Sequence, residues 1–217
     1  MTPERYRKVR AVLDRRQPDL TVVTDGVHKE HNIAAIVRTC DAVGIQTIHA
    51  SLPDNRAHAP AEAAMGSQKW VDVIQHDEAL DAMEQLQARG HQVLAAHYSD
   101  AAVPYRDIDF SRPTALMLGT EKFGVSEEAA ARADAHVYIP MMGMVESFNV
   151  SVATAIILAE ACEQRRRAGL YDQPRLDPEH YHELLIRWGY PRVAERCEQQ
   201  GLPWPEIDDQ GRLQSEP

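Results

Sequence analysis

The sequence predicts an α/β protein with a mostly parallel sheet and helices on both faces. From Leu20 to about Gly169, short β-branched runs alternate with longer segments of helical periodicity, a pattern typical of βα units. The 217 residues are 44% apolar and 26% charged, which suits one large or two small domains with a core that needs no disulfide or structural metal. This composition excludes disordered and fibrous classes.

Five short segments rich in β-branched residues are the predicted strands. They are LTVVT from Leu20, IQTIHA from Ile45, HQVLAAH from His91, TALMLG from Thr114 and HVYIP from His136. Between the first two, HNIAAIVRTCDAVG repeats apolar residues at helical spacing and ends at Gly44. Arg38 lies about 140° around this predicted helix from Ile33, so it is expected to point away from the packed face.

Three further helices are predicted in the same region. DEALDAMEQLQARG and SEEAAARADA are amphipathic, and Ser126 is the predicted N-cap of the second. The third, SFNVSVATAIILAEACEQRRR, is apolar on nearly every side from Val150 to Ala161. Such a helix must be covered on more than one side, either centrally in the monomer or as half of a subunit interface.

The ends of the chain differ in composition from this region and divide the sequence into three parts. Residues 1–19 are predicted as a basic helical extension, 20–169 as the sheet domain, and 170–217 as an acidic extension with one helical pattern, HYHELLIRWGY. The formal net charge of −10 argues against general affinity for nucleic acid.

The positive charges are unevenly distributed. Six cations give the first sixteen residues a local net charge of +4, and a second basic run follows near the end of the last apolar helix. These candidate nucleic-acid contacts are Arg5, Arg7, Lys8, Arg10, Arg15, Arg16, Arg165, Arg166 and Arg167. Arginine's planar fork suits phosphate, although basic residues spread over solvated helix faces would give the same counts.

The cysteines, the histidines and the hydropathy of the chain argue against disulfide-rich, metal-binding and membrane proteins. Cys40, Cys162 and Cys197 are far apart and outside any CxxC pattern, which argues against a disulfide framework and a thiolate metal site. The ten histidines are scattered, so no metal is predicted. The N-terminus lacks an apolar signal region and no stretch approaches roughly 18 apolar residues, so we expect a cytoplasmic protein without a membrane partner.

Three loops that follow predicted strands carry unusual residues. They are DGVHKEHN, which leads to Asn32; TEKFG, in which Glu121 stands between two glycines; and MMGMVESFN, which contains Ser147 and Asn149. Ligands of open parallel sheets bind outside the carboxyl ends of the strands. The loops contain no GxxxxGK[ST], GxGxxG, GxSxG or HExxH, which disfavours P-loop, dinucleotide, serine-hydrolase and zinc-protease functions.

Three segments, taken together and in order, resemble the three motifs of the SpoU/TrmH branch of the SPOUT methyltransferases. They are HNIAAIVRT, LMLGTEKFGVS and IPMMGMVESFNVSVATA. The resemblance extends from about Arg5 to near residue 203. It implies a deep trefoil knot, which a sequence-based argument alone would disfavour. It also implies a homodimer in which the first-motif arginine lies near the partner's cofactor.

The resemblance implies S-adenosylmethionine as cofactor. The motif positions assign its binding to Ala96, Leu118, Gly119, Ile139, Met144 and Phe148, and assign catalysis to Arg38, Asn32, Glu121, Ser147 and Asn149. Because a guanidinium keeps its proton, Arg38 is expected to orient the ribose hydroxyl and stabilise the alkoxide, or else to relay a proton when a phosphate is bound to it.

The flanking RRQPDLTVV and the basic N-terminal segment favour members that methylate the ribose 2′-hydroxyl of guanosine 18 in the tRNA D-loop. The same reaction on ribosomal RNA or at another tRNA position is the nearest alternative. A non-catalytic RNA-binding protein on the same fold is the other.

Overall fold

In a computed structural model, residues 1–51 and 69–214 are described. Their helices are α1 (Pro3–Leu13), α2 (Glu30–Ala42), α3 (Ala79–Ala88), α4 (Glu127–Arg132), α5 (Val150–Arg167), α6 (Pro178–Gly189) and α7 (Pro191–Gln200). Their strands are β1 (Leu20–Asp25), β2 (Thr47–Ser51), β3 (Asp72–His76), β4 (Gln92–Ala96), β5 (Val103–Pro104), β6 (Thr114–Leu118) and β7 (Ala135–Tyr138).

The chain divides into two compact units. One comprises Pro18–Ala168, and the other joins Met1–Gln17 with Gly169–Pro217, so the two terminal segments share a unit. The last three residues of the predicted acidic extension, 215–217, lie outside the described residues.

A seven-stranded sheet in the order β3-β2-β1-β6-β4-β7-β5 forms the frame of the larger unit. Every strand pair is parallel, which confirms the predicted α/β class. All five predicted strands are present. The central β1 and β6 are almost completely buried because their side chains face core clusters on both sides, which explains the uninterrupted apolar runs 22–23 in β1 and 115–118 in β6.

Helix α2 has the predicted amphipathic pattern. Its apolar stripe is buried at Ile33, Ile36, Val37 and Cys40, whereas Arg38 is exposed. Ser126 precedes α4 as predicted, but its side chain makes no capping hydrogen bond. Instead its backbone N–H donates to Asp25 Oδ2 at 2.8 Å.

Helix α5 packs one side against α2 and leaves part of the other side open. Ile157 and Leu158 are buried, while Val152 is 44% exposed and Ala155 and Ala159 are also exposed. A face this apolar at the surface of a single chain is a feature of subunit interfaces.

Arg165 corrects one of the predicted RNA contacts. Its side chain is fully buried, and its guanidinium donates to Asp19 Oδ1 at 2.7 Å and to the carbonyl oxygens of Phe110 and Arg112, both at 2.9 Å. These acceptors come from the segments before β1 and β6. Arg165 therefore ties α5 to the sheet and is not available to a phosphate.

The smaller unit is helical. Helix α1 packs on α6, which packs on α7, and the Tyr181 hydroxyl donates to Asp14 Oδ1 at 2.7 Å. Arg16 is fully buried with its guanidinium 5.1 Å from the centre of the Trp188 ring. Its burial corrects the prediction that Arg16 contacts RNA. The five other predicted cations of this segment, Arg5, Arg7, Lys8, Arg10 and Arg15, are exposed.

Candidate active site

The candidate site lies at the carboxyl edge of the sheet, where β1, β6, β4 and β7 are successive neighbours. The register pairs Thr24 with Leu118 and Ala96 with Val137, so these strands end at similar heights. The three loops with unusual residues follow β1, β6 and β7. Topology therefore brings together segments that are more than a hundred residues apart in the chain.

Asn32, Glu121 and Asn149 form a hydrogen-bonded triangle. Asn149 Nδ2 donates to Glu121 Oε1 at 2.6 Å and to Asn32 Oδ1 at 3.1 Å, and Asn32 Nδ2 donates to the same Glu121 oxygen at 3.1 Å. Asn32 is 2% exposed, whereas the other two side chains reach solvent. One residue from each predicted motif thus contributes to a single polar cluster.

Asn149 is also the N-cap of α5. Its Oδ1 accepts hydrogen bonds from the backbone N–H of Ser151 at 3.0 Å and from the Ser151 hydroxyl at 2.6 Å. Because the oxygen of the amide caps the helix, its NH₂ group is left facing Glu121 and Asn32. The start of α5 and the polar cluster are therefore built by one side chain.

Lys29 is a member of the cluster that the sequence did not predict. It immediately precedes α2, and its ammonium group pairs with Glu121 Oε2, the oxygen that the asparagines leave free. The Lys29 side chain is about half exposed. Its position in DGVHKEHN, three residues before Asn32, is the only local signal for this role.

The loop that carries Glu121 is closed on itself. Backbone hydrogen bonds join Thr120 and Gly124 in both directions at 2.9 and 2.8 Å, and Gly124 has a φ of +71°. A Cβ atom on Gly119 would overlap the backbone of Gly124 and Val125. Gly119 is therefore required by close backbone packing, and this loop presents Glu121 from a compact turn.

The six predicted cofactor residues fall at the ends of β4, β6 and β7 or in the loop that follows β7. Leu118 and Gly119 are buried and can contribute only backbone groups, whereas Ala96 and Ile139 are partly exposed. Met144 is 99% and Phe148 40% exposed. Apolar side chains beside strand-end backbone groups fit a nucleoside cofactor, whose base needs both an apolar slot and hydrogen-bond partners.

Arg38 and Ser147 do not join the polar cluster. Arg38 lies six residues along α2 from Asn32, on a different face, and forms no hydrogen bond or ion pair with any described residue. Ser147 is exposed in the loop before α5, and it too makes no hydrogen bond within residues 1–51 and 69–214.

Arg166 and Arg167 remain on the surface but are already paired. Both guanidinium groups contact Glu163, at 2.8 and 2.7 Å. Hydrogen bonds from Arg166, and then from Arg167, lower the pKa of Glu163 to about 2. Contact with a phosphate would have to compete with this carboxylate.

The described part of the chain offers neither a metal site nor a membrane span. Across 1–51 and 69–214, no three His, Cys, Asp or Glu side chains are grouped so that they could hold a metal ion. Within the same ranges no helix is long and apolar enough to span a bilayer.

The fold and the polar cluster define a parallel α/β protein with a candidate ligand site at the carboxyl edge of its sheet. Residues 19–159 match the SpoU rRNA Methylase family, and residues 163–216 match the C-terminal region described as SpoU, rRNA methylase, C-terminal. The chain belongs to the SpoU methylase family.

Individual relatives resemble the chain along most of its length. It is 46% identical to the tRNA (guanosine(18)-2′-O)-methyltransferase of Escherichia coli K12, over all of this chain and 95% of that protein. The crystal structure of the TrmH/SpoU tRNA modifying enzyme of A. aeolicus is 41% identical, with a TM-score of 0.80 over 88% of this chain and 97% of that one. The AdoMet-bound rRNA methyltransferase of Sinorhizobium meliloti is 31% identical, with a TM-score of 0.58 over 70% of this chain and 61% of that one.

Proposed function

We propose that this protein transfers a methyl group from S-adenosylmethionine to the ribose 2′-hydroxyl of guanosine 18 in tRNA. The observation that carries the proposal is the 46% sequence identity, along the whole chain, to an Escherichia coli enzyme named for this reaction. The hydrogen-bonded triangle of Asn32, Glu121 and Asn149 supports the proposal because it joins residues of all three motifs in one polar cluster. An enzyme with this substrate works where tRNA is found, so the cytoplasm is its proposed location.

Ala96, Leu118, Gly119, Ile139, Met144 and Phe148 hold the cofactor in this proposal. When bound, S-adenosylmethionine supplies a methyl group already activated by a positively charged sulfur. The main task of the protein is therefore alignment. The buried Leu118–Gly119 backbone offers hydrogen-bonding groups, and the exposed ring of Phe148 offers an apolar surface for the base.

Arg38 acts on the ribose hydroxyl. Its guanidinium keeps its proton through the ordinary pH range, so it orients the hydroxyl and stabilises the developing alkoxide while an RNA phosphate or water accepts the proton. A relay through Arg38 with a bound phosphate is the alternative. Glu121, Asn32 and Asn149 hold the loops around the reacting groups, and Ser147, exposed beside them, contacts substrate.

A homodimer accounts for the separation of Arg38 from the polar cluster within one chain. We propose that the exposed apolar side of α5, with Val152, Ala155 and Ala159, is covered by a second copy. In this arrangement Arg38 serves the cofactor site of the partner. We further propose that the loops after β6 and β7 form part of the trefoil knot that is typical of the family.

The exposed cations Arg5, Arg7, Lys8, Arg10 and Arg15 are the proposed tRNA contacts of the smaller unit. Arg166 and Arg167 are proposed as secondary contacts because Glu163 already neutralises part of their charge. Binding of this kind releases counterions and is therefore strongly sensitive to salt.

The direct test is methyl transfer from S-adenosylmethionine to an unmodified tRNA transcript, with the product mapped by nuclease digestion and mass spectrometry. We expect 2′-O-methylguanosine at position 18. A transcript with deoxyguanosine at that position is the matched control and should accept no methyl group. Methylation of ribosomal RNA or of another tRNA position by cofactor-loaded enzyme, with none at guanosine 18, would reject the assignment.

A further inference from the structure

Exposed aromatic side chains are concentrated at one edge of the sheet. Within the described chain, the aromatic residues that stand out as exposed are Tyr98 and Phe123, each 78% exposed, and Phe148 at 40%. All three follow the carboxyl ends of strands: β4, β6 and β7, respectively. By contrast, Phe110, the remaining phenylalanine, is completely buried.

Phe123 is held in place by the closed loop that also carries Glu121. Its backbone N–H donates to Thr120 Oγ1 at 3.1 Å, and the mutual hydrogen bonds of Thr120 and Gly124 flank it. The Lys122 ammonium lies 4.8 Å from the centre of the Phe123 ring. An exposed aromatic ring carried by a closed loop, with a cation beside it, offers a surface for a base and a charge for its phosphate.

Tyr98 projects from the loop after β4, next to Phe123's loop. Its ring stands edge-on to that of Tyr138, with centres 5.6 Å apart and an angle of 89° between the planes. The neighbouring His97 packs edge-on to His136, and its Nδ1 lies 3.9 Å from the point where a Cβ atom added to Gly124 would stand. Residues adjacent to the two exposed rings therefore lie near each other.

We propose that Phe123 and Tyr98 form an aromatic platform on which unpaired bases of the substrate tRNA stack. Phe123 is two residues from Glu121, so its ring takes a base close to the methylated ribose, and Tyr98 takes a neighbouring base. The inference rests on the proposed function for the identity of the RNA. Its physical basis is that stacking on aromatic rings holds single-stranded bases without reading their sequence.

The first experiment measures tRNA affinity at several salt concentrations for Phe123→Ala and Tyr98→Ala. We expect the dissociation constant to rise about tenfold for each, as removal of one base stack implies. The slope of log affinity against log salt should stay unchanged because no charge is removed. Lys122→Ala should instead reduce that slope by about one, which is the signature of one fewer phosphate bound by a cation.

The substitutions Phe123→Leu and Phe123→Tyr separate stacking from simple apolar contact. Leu keeps an apolar side chain without a ring and should weaken tRNA binding as Ala does, whereas Tyr should restore it to within about twofold. Ile74→Ala is the matched control, since Ile74 is an exposed apolar residue of β3. We expect it to bind tRNA with wild-type affinity.

Kinetics and cofactor binding complete the test. Phe123→Ala and Tyr98→Ala should raise KM for tRNA more than they lower kcat, with S-adenosylmethionine affinity and dimerisation unchanged. The platform is rejected if the two alanine variants bind tRNA normally, or if Leu at 123 performs as well as Tyr. It is also rejected if removal of the Phe123 ring disrupts the dimer or weakens cofactor binding to the same extent, because the ring would then contact the partner chain or the cofactor.

These outcomes are distinct from failure of the proposed function. If the wild-type enzyme methylates ribosomal RNA or another tRNA position, the same variants are measured on that RNA. Weaker binding of that RNA by the two alanine variants supports stacking, and unchanged binding rejects it. If the wild-type protein binds no RNA at all, both proposals are rejected.

Discussion

Asn149 donates a 2.6 Å hydrogen bond to the carboxylate of Glu121, and the oxygen of the same amide caps helix α5. The two residues belong to loops that follow different strands of the sheet. Because one planar amide serves both partners, the orientation of Glu121 is coupled to the start of α5. Helix stability and site geometry can therefore be separated by substitutions that keep one function of the amide and remove the other.

Asn149→Ala removes both functions of the amide, whereas Asn149→Ser keeps an N-cap oxygen but cannot donate to Glu121 as the amide does. We expect the Ala variant to lose about 1 kcal/mol of stability, while the Ser variant keeps most of its stability. Both should lose methyl transfer by tenfold or more, on the order of one charge-assisted hydrogen bond. Denaturant unfolding and single-turnover kinetics provide the measurements. Full activity in Asn149→Ser would show that the hydrogen bond to Glu121 has no catalytic importance.

Arg38→Ala should reduce kcat by a factor on the order of a hundred or more, because stabilisation of the developing alkoxide is removed. Calorimetry should find unchanged affinity for S-adenosylmethionine, and sedimentation an unchanged dimer. Arg89→Ala, which removes another exposed arginine, serves as the control and should retain activity. Near wild-type turnover by Arg38→Ala would remove this residue from the mechanism.

Gly119→Ala should abolish cofactor binding, because the new methyl group would overlap the backbone of Gly124 and the loop would have to open. Gly143→Ala is the matched control in the next motif, since a Cβ there meets nothing within 4 Å. Titration calorimetry with S-adenosylmethionine compares the two directly. Equal affinities would mean that the loop adjusts without cost to the cofactor site.

Neutralising three exposed cations together, in Arg7→Gln, Lys8→Gln and Arg15→Gln, should weaken tRNA binding at low salt. It should also reduce the slope of log affinity against log salt, by up to about one for each of these cations that binds a phosphate. Arg192→Gln with Arg196→Gln removes positive charge from exposed positions of α7 and is the control. If the control weakens binding as much as the triple variant, the interaction with tRNA is not localised on the N-terminal segment that contains α1.

The contact between the buried His49 and the partly exposed His76 predicts a loss of stability in mild acid. Their rings approach to 2.8 Å between Nδ1 and Nε2, and burial, reinforced by His76, lowers the pKa of His49 from 6.5 to about 4. The unfolded chain then binds more protons, so stability is complete above pH 6.5 and falls as the pH drops towards 4. The loss is about 3.5 kcal/mol at most, at roughly 1.4 kcal/mol per pKa unit.

Urea unfolding of the wild type and of His49→Gln between pH 7.5 and 4 measures this effect. The variant should show a shallower dependence of unfolding free energy on pH, whatever its absolute stability. Identical pH dependence in the two proteins would place the acid sensitivity elsewhere.

The strong local patterns were sufficient to predict most of the fold. The five predicted strands and the apolar stripe of α2 are confirmed because runs of β-branched residues and helical spacing are local properties of the chain. The two strands that were not predicted, β3 and β5, have weak local patterns. Strand β5 has only two residues, and β3 leaves its apolar residue Ile74 42% exposed. Helix α7 was missed because its sequence is mostly polar, and its few buried residues, such as Ala194 and Cys197, form no long apolar stripe.

The local sequence did not predict which arginines are buried. Arg165, Arg166 and Arg167 are indistinguishable in sequence, yet the first is buried among Asp19 and two carbonyl oxygens while the others are exposed beside Glu163. Likewise, nothing local separates the buried Arg16 from the exposed Arg15. Burial depends on partners far along the chain, so only tertiary structure could decide which arginines remain available to RNA.

The same division holds for the site. The residue types and the order of the three motifs were readable in the sequence, and they identified Asn32, Glu121 and Asn149. The tertiary structure alone decided that these side chains share hydrogen bonds, that Lys29 completes the cluster, and that Arg38 stands apart from it. The physical reason is that a parallel sheet brings the ends of distant strands to one edge, where contacts depend on the register and order of the strands.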